Sequence, residues 1–223
     1  MPSGYLLVNK PSGPTSHDVV QELRTISEIS EIGHAGTLDP LAEGLLIILV
    51  GSFTKKSKEF TQLPKEYQTT LRLGLESDSH DIAGQVDFKK EYAIPSREEI
   101  ESALEKFRGK IKQVPPQFSA VKKGGRKAYQ EARAGREMEL APREVFITKL
   151  ETVWYKFPLL TLYLVCSSGT YVRSLARDLG KILGTGAVVV SLRRLAIGPY
   201  RLTAAVDLAE ISSENFQRLL KTG

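Results

Sequence analysis

Apolar and polar positions along the chain follow two rhythms, strand-like alternation or short apolar runs in most places and helical spacing in a few. Gly4-Tyr5-Leu6-Leu7-Val8-Asn9 has the length of a strand, and Lys10-Pro11-Ser12-Gly13-Pro14 breaks it. Thr15 or Ser16 then caps a helix whose apolar face is Val19, Val20, Leu23 and Ile26. Leu45 to Val50 is apolar without interruption, which predicts a strand covered on both faces. A helix over about Thr54–Leu63 leads to a strand over Tyr67–Gly74, where Tyr67, Thr69, Leu71 and Leu73 share one side. Ser96 opens another helix, with Glu98 and Glu99 in its dipole-favoured first turn and Ile100, Leu104 and Phe107 as its stripe. Val145–Trp154 and Leu159–Cys166 read as adjacent strands. Val172, Leu175, Ala176, Leu179 and Ile182 have the spacing of a core-facing helix. Ala187–Ser191 predicts a short strand, and Asp207–Leu220 a final amphipathic helix.

Strands and helices mix without regular βαβ alternation, so the pattern predicts an α/β or α+β fold. The chain has 223 residues, with no internal repeat and no low-complexity linker, and reads as a single domain, 1–223. No apolar run approaches the roughly 18 residues that cross a bilayer. The first residues lack the basic-then-apolar order of a secretory leader. Cys166 is the only cysteine, which excludes an internal disulfide and a multi-cysteine zinc site and suits a reducing cytoplasm.

Charge narrows the choice of partner. The net charge is +5, and the cations are unevenly placed. Between Lys106 and Arg136 there are ten Lys or Arg and a single acid, Glu131, interleaved with Phe107, Phe118 and Tyr129. The segment from Gly109 to Arg143, broken by Pro115-Pro116 and Gly124-Gly125, has little regular pattern beyond a short helix near Lys127–Ala134. A long basic loop within a compact domain points to binding of an anion, nucleic acid first. Lys122, Lys123, Arg126, Lys127 and Arg133 are its candidate contacts.

The densest chemistry lies in Gly33-His34-Ala35-Gly36-Thr37-Leu38-Asp39-Pro40-Leu41-Ala42-Glu43-Gly44. Asp39 is either a catalytic carboxylate or the N-cap of a helix beginning at Pro40. Lys10 is either solvated or held near a ligand at its strand end, and Arg193-Arg194 is a surface or phosphate-binding pair. Asp78, His80 and Asp81 share a polar loop, yet no second cluster supports a metal there. There is no phosphate-cradling loop, dinucleotide fingerprint or Ser-His-Asp set.

Five motifs in order resemble the TruB family of tRNA pseudouridine-55 synthases. They are Lys10-Pro11-Ser12-Gly13-Pro14-Thr15-Ser16; the Gly33–Leu45 stretch; Lys65-Glu66-Tyr67 with Leu71-Arg72-Leu73-Gly74; Gly169-Thr170-Tyr171-Val172-Arg173-Ser174-Leu175-Ala176-Arg177-Asp178-Leu179-Gly180; and Leu192-Arg193-Arg194 with Gly198-Pro199. Gln113 to Lys122, with Gly125 to Tyr129, resembles the family's RNA-gripping thumb, an insert at about 109–143. The resemblance implies a mixed, largely antiparallel central sheet flanked by helices, the pseudouridine-synthase fold. It implies isomerisation of the T-loop uridine of tRNA by a monomer, without cofactor, metal or protein partner. Asp39 matches the catalytic aspartate, Tyr67 the tyrosine that stacks on the target base, and Arg173 the arginine that pairs with the aspartate. His34 matches the histidine that packs against displaced RNA, and Tyr171, Leu192 and Lys10 belong to the site wall. Many bacterial relatives carry a C-terminal PUA-type domain that is not expected here. The alternatives are a non-catalytic RNA-binding or tRNA-chaperone protein and a carboxylate hydrolase acting on a nucleoside.

Overall fold

The computed structural model describes residues 2–89 and 91–222; the side chains of Lys127 and Arg133 lie outside the described set. In chain order the elements are β1 (Gly4–Lys10), α1 (Ser16–Ser27), β2 (Ile32–Ala35), β3 (Glu43–Val50), α2 (Ser57–Gln62), β4 (Lys65–Leu73), β5 (Leu75–Ser77) and β6 (Val86–Phe88). There follow α3 (Arg97–Glu105), β7 (Gly109–Gln113), β8 (Lys122–Lys123), β9 (Arg126–Lys127), α4 (Ala128–Arg133), β10 (Arg143–Lys156) and β11 (Leu159–Cys166). Last come α5 (Val172–Ile182), β12 (Ala187–Ile197), β13 (Tyr200–Arg201), β14 (Val206–Asp207) and α6 (Phe216–Leu219). The elements mix strands and helices as the pattern predicts, and the central sheet is mostly antiparallel with flanking helices, as the resemblance implies. The chain divides into two compact units, Met1–Gln68 with Leu192–Gly223, and Thr69–Ser191.

The first unit is built on β3. It pairs antiparallel with β1 (Leu6↔Ile48, Lys10↔Gly44) and with β2 (His34↔Ile48), and parallel with β12 (Arg194↔Gly44). Leu46, Ile48 and Val50 pack with Val19, Val20 and Leu23 of α1 and with Phe216. Leu45, Ile47 and Leu49 face the other way, onto Phe60 of α2 and Ile197. The strand is therefore covered on both faces, as its uninterrupted apolar run requires. Helix α1 starts in a full capping box: Thr15 accepts from the Asp18 amide, and Asp18 accepts from the Thr15 amide.

The second unit carries the hairpin of β10 and β11, with β7 antiparallel on the free side of β10 (Val145↔Ile111). Helix α5 buries Val172, Arg173, Leu175, Ala176 and Leu179. At Gly180 a Cβ would come within 2.3 Å of the Ala187 amide nitrogen, so only glycine lets the end of α5 approach the start of β12 so closely.

Four expectations need correction. Pro40 begins no helix. The Ala42 amide closes a turn on the Asp39 carbonyl at 3.0 Å, and the buried run after Gly44 takes the chain straight into β3. Nor does Asp207–Leu220 form one helix. Val206 and Asp207 pair with β1, and Asn215 bonds the Ser212 amide and the Glu210 carbonyl, leaving a single 3-10 turn at Leu208–Glu210 and the short helix α6. The strand expected to end at Ser191 runs on to Ile197, because Leu192, Arg194 and Ala196 continue its buried side. Ile182, assigned to the apolar stripe of α5, is 43% exposed at the helix end.

Candidate active site

The Asp39 turn is held by the loop that follows β1. Ser16, 1% exposed, accepts from the Leu38 amide at 2.8 Å and donates to the Leu38 carbonyl at 3.1 Å. The Gly13 amide donates to the Pro40 carbonyl at 2.8 Å, and the Ser12 hydroxyl to the Leu41 carbonyl at 3.0 Å. The two motifs flanking α1, separate in sequence, thus form one backbone frame around Asp39.

Arg194 fills the other side of that frame. It is 1% exposed, and its guanidinium donates to the carbonyls of Leu45 (2.7 Å), Gly36 (3.0 Å) and Thr37 (3.3 Å). It also forms a side-chain hydrogen bond with Tyr67, which is 9% exposed on β4. Burial pulls the Arg194 guanidinium below its usual range, and the Tyr67 oxygen opposes that pull. The reading of Arg193-Arg194 as a surface or phosphate pair is therefore only half right. Arg193 is exposed and 3.5 Å from Glu43, while Arg194 is an internal clamp. A buried face alternating with an exposed one along β12 would have separated them in the sequence.

Lys10 is buried, not solvated. Its ammonium donates to the carbonyls of Pro11 and Pro14, each at 2.7 Å. Burial lowers it to about 8, with the charge of Asp39 acting against that shift and that of Arg194 adding to it. His34 lies on β2; burial first, then the positive charge of Arg194, holds its imidazole below the usual value. Leu192 is 8% exposed on the same side of β12 as Arg194. Lys10, His34, Asp39, Tyr67 and Leu192 all belong to the first unit.

Tyr171, Arg173 and the thumb belong to the second unit. Gln113 brackets the Tyr171 backbone, accepting from its amide at 2.8 Å and donating to its carbonyl at 3.0 Å, and so sets the start of α5. The Tyr171 ring packs beside Val121, Ala128 and Leu140. Arg173, 6% exposed, donates to the carbonyls of Ser79 and Phe118 at 3.1 and 2.9 Å, and its Nε lies 3.7 Å from the Asp81 carboxylate. Asp81 also accepts from the Ser79 hydroxyl at 2.7 Å and the Ala83 amide at 3.0 Å. The polar loop with Asp78, His80 and Asp81 thus serves as an anionic cradle for Arg173, a use that loop spacing alone could not reveal.

Lys122 and Lys123 on β8 and Arg126 on β9 are exposed, as the basic segment predicts. Part of their charge is already answered. The Lys123 ammonium reaches the Glu139 carboxylate at 3.6 Å, and Glu131 lies 2.7 Å from Arg136 and 3.8 Å from Arg126. The candidate contacts Lys127 and Arg133 lie outside the described side chains.

Among solved structures, the chain shares the fold of one in a Cbf5-Nop10-Gar1 complex, with a TM-score of 0.75 and 25% identity over 98% of this chain and 59% of that one. An H/ACA RNP bound to a substrate RNA containing 2′-deoxyuridine gives a TM-score of 0.70 at 24% identity, over 96% of this chain and 53% of that chain. Residues 24–172 match the N-terminal domain of the TruB family pseudouridylate synthases, and residues 173–219 the C-terminal domain of tRNA pseudouridylate synthase B. The chain belongs to the TruB family. Its relatives include the tRNA pseudouridine synthase B of Dechloromonas aromatica (strain RCB), 43% identical over 94% of this chain and 70% of the relative. That of Protochlamydia amoebophila (strain UWE25) is 44% identical over 93% and 79%.

Proposed function

We propose that this chain isomerises uridine to pseudouridine in the T loop of tRNA, at position 55, with Asp39 as the catalytic carboxylate. The relatives' shared name supports the reaction and the class of RNA. The observation that carries the assignment of Asp39 is its frame: a turn pinned by Ser16 on one side and by the Arg194 clamp on the other, beside buried Lys10. A helix cap needs no such enclosure.

The reaction detaches the base from C1′, turns it and rejoins it through C5. It moves no electrons to an acceptor and transfers no group, so a positioned carboxylate and a pocket suffice. A stacked uridine must first be flipped out of the RNA. The Tyr67 ring offers the flipped base an aromatic face, and Leu192 an apolar wall. Asp39 serves the sugar or base carbon as nucleophile or as counter-charge. Tyr171 and Arg173, both in the second unit, are the remaining substrate-binding residues in this reading. His34 packs against displaced RNA, and the thumb cations meet the phosphates of the T arm. The protein works as a cytoplasmic monomer without an obligate protein partner.

Asp39→Asn tests the assignment, because it keeps the shape and removes the charge. Pseudouridine formation is lost, while tRNA binding stays within about threefold, a difference under about 1 kcal/mol. Retained turnover refutes the catalytic role. Release of free uracil by the native protein would indicate a hydrolase instead.

A further inference from the structure

Arg194 has contacts on both sides of the Asp39 turn and to the ring proposed to receive the base. Gly36 and Thr37 precede Asp39, Leu45 begins the buried run after the turn, and Tyr67 comes from β4. Gly44 lets the two backbones approach closely: a Cβ there would lie 2.4 Å from the Arg194 carbonyl oxygen, and its φ of +99° suits glycine. Guanidinium has donors only, so in the pair with Tyr67 the phenol oxygen is the acceptor and its O–H is directed away from Arg194. A lysine could not copy this arrangement, since one ammonium cannot span a planar fork of acceptors.

We propose that Arg194 is a positioning residue for the isomerisation: one buried guanidinium locks the Asp39 turn and the Tyr67 phenol into a single register, so that carboxylate and base-stacking ring meet the flipped uridine together. This rests on the reading of Asp39 and Tyr67 given above. A purely structural arginine would stabilise the fold but leave Tyr67 and the turn energetically independent. A positioning arginine couples them.

A double-mutant cycle on the full chain separates the two, with unmodified tRNA as substrate and single-turnover pseudouridine formation as readout. Arg194→Lys lowers the rate constant about 10- to 100-fold, the scale of a misplacement near 1 Å, with tRNA affinity unchanged within threefold. In the Tyr67→Phe background the same substitution costs less than about threefold, because the link is already cut. Losses that multiply independently, or an Arg194→Lys rate equal to native, overturn the proposal. If Arg194→Lys does not fold, Tyr67→Phe alone decides. Removing one oxygen leaves a buried N–H without its acceptor, so the melting midpoint falls by about 2–8 °C and the rate falls with it. An unchanged midpoint and rate overturn the proposal. A native protein that forms no pseudouridine defeats the functional reading and the inference together, whereas native turnover with a null cycle defeats the inference alone.

Discussion

Ser16→Ala removes a single hydroxyl, yet it acts directly on the Asp39 turn. That hydroxyl both accepts from the Leu38 amide and donates to the Leu38 carbonyl, in a place where Ser16 is 1% and Leu38 is 3% exposed. Water has little access to replace it. A buried polar group left without its partner costs about 1–3 kcal/mol, and two such groups on one residue cost roughly 2–5 kcal/mol together. For a chain of this size each kcal/mol moves the melting midpoint about 2–4 °C, so the variant melts roughly 5–15 °C lower. Because Leu38 immediately precedes Asp39, the carboxylate loses its fixed position as well. The single-turnover rate falls about tenfold or more even at temperatures where the variant is fully folded. Thermal unfolding by circular dichroism and quench-flow pseudouridine assays at 20–25 °C measure the two effects. A midpoint within about 1 °C of native, together with a rate within twofold, would refute the claim that Ser16 frames the catalytic turn.

Lys10 gives a pH signature. Burial lowers its ammonium to about 8 from 10.5, so between those values the unfolded chain holds the proton more tightly than the folded one. Stability contributed by this group therefore rises with pH across that window, and Lys10→Met flattens the rise; urea melts at several pH values between them show it, and equal slopes in the two proteins would contradict it. In the thumb, Glu131→Gln releases Arg136 and Arg126 from their shared carboxylate. Binding to tRNA tightens at low salt, and the slope of log K against log salt steepens by about 1 to 2. An unchanged slope in filter-binding titrations would mean that these cations do not meet phosphate.

The periodicity of β3 and α1 was sufficient to predict them, because a strand covered on both faces and a capped amphipathic helix each leave a local signature. The Asp39-Pro40 dipeptide misled for the same reason that it is informative. Its local preference for a helix start is real, but the Gly44 conformation and the buried run behind it decide for a turn. The C-terminal stretch failed similarly, since the side chain of Asn215 captures backbone groups that a helix would have used. Motif order led to Asp39, Tyr67 and Arg173. The burial of Lys10 and Arg194 was not legible, because a charged side chain is buried only where distant segments bring carbonyls to it, here from Pro11 and Pro14 for one and from Gly36, Thr37 and Leu45 for the other. Likewise, nothing local announces that Asp81 faces Arg173 across 92 positions of sequence (173 − 81).

The proposed isomerisation of one T-loop uridine by the framed carboxylate of Asp39 is read out most directly by nucleotide-resolution mapping of pseudouridine on an unmodified tRNA and on its isolated T-arm stem-loop. The native chain is expected to convert position 55 in both RNAs and to convert nothing in either when Asp39 is asparagine. Conversion at another position, or conversion that survives Asp39→Asn, would contradict it.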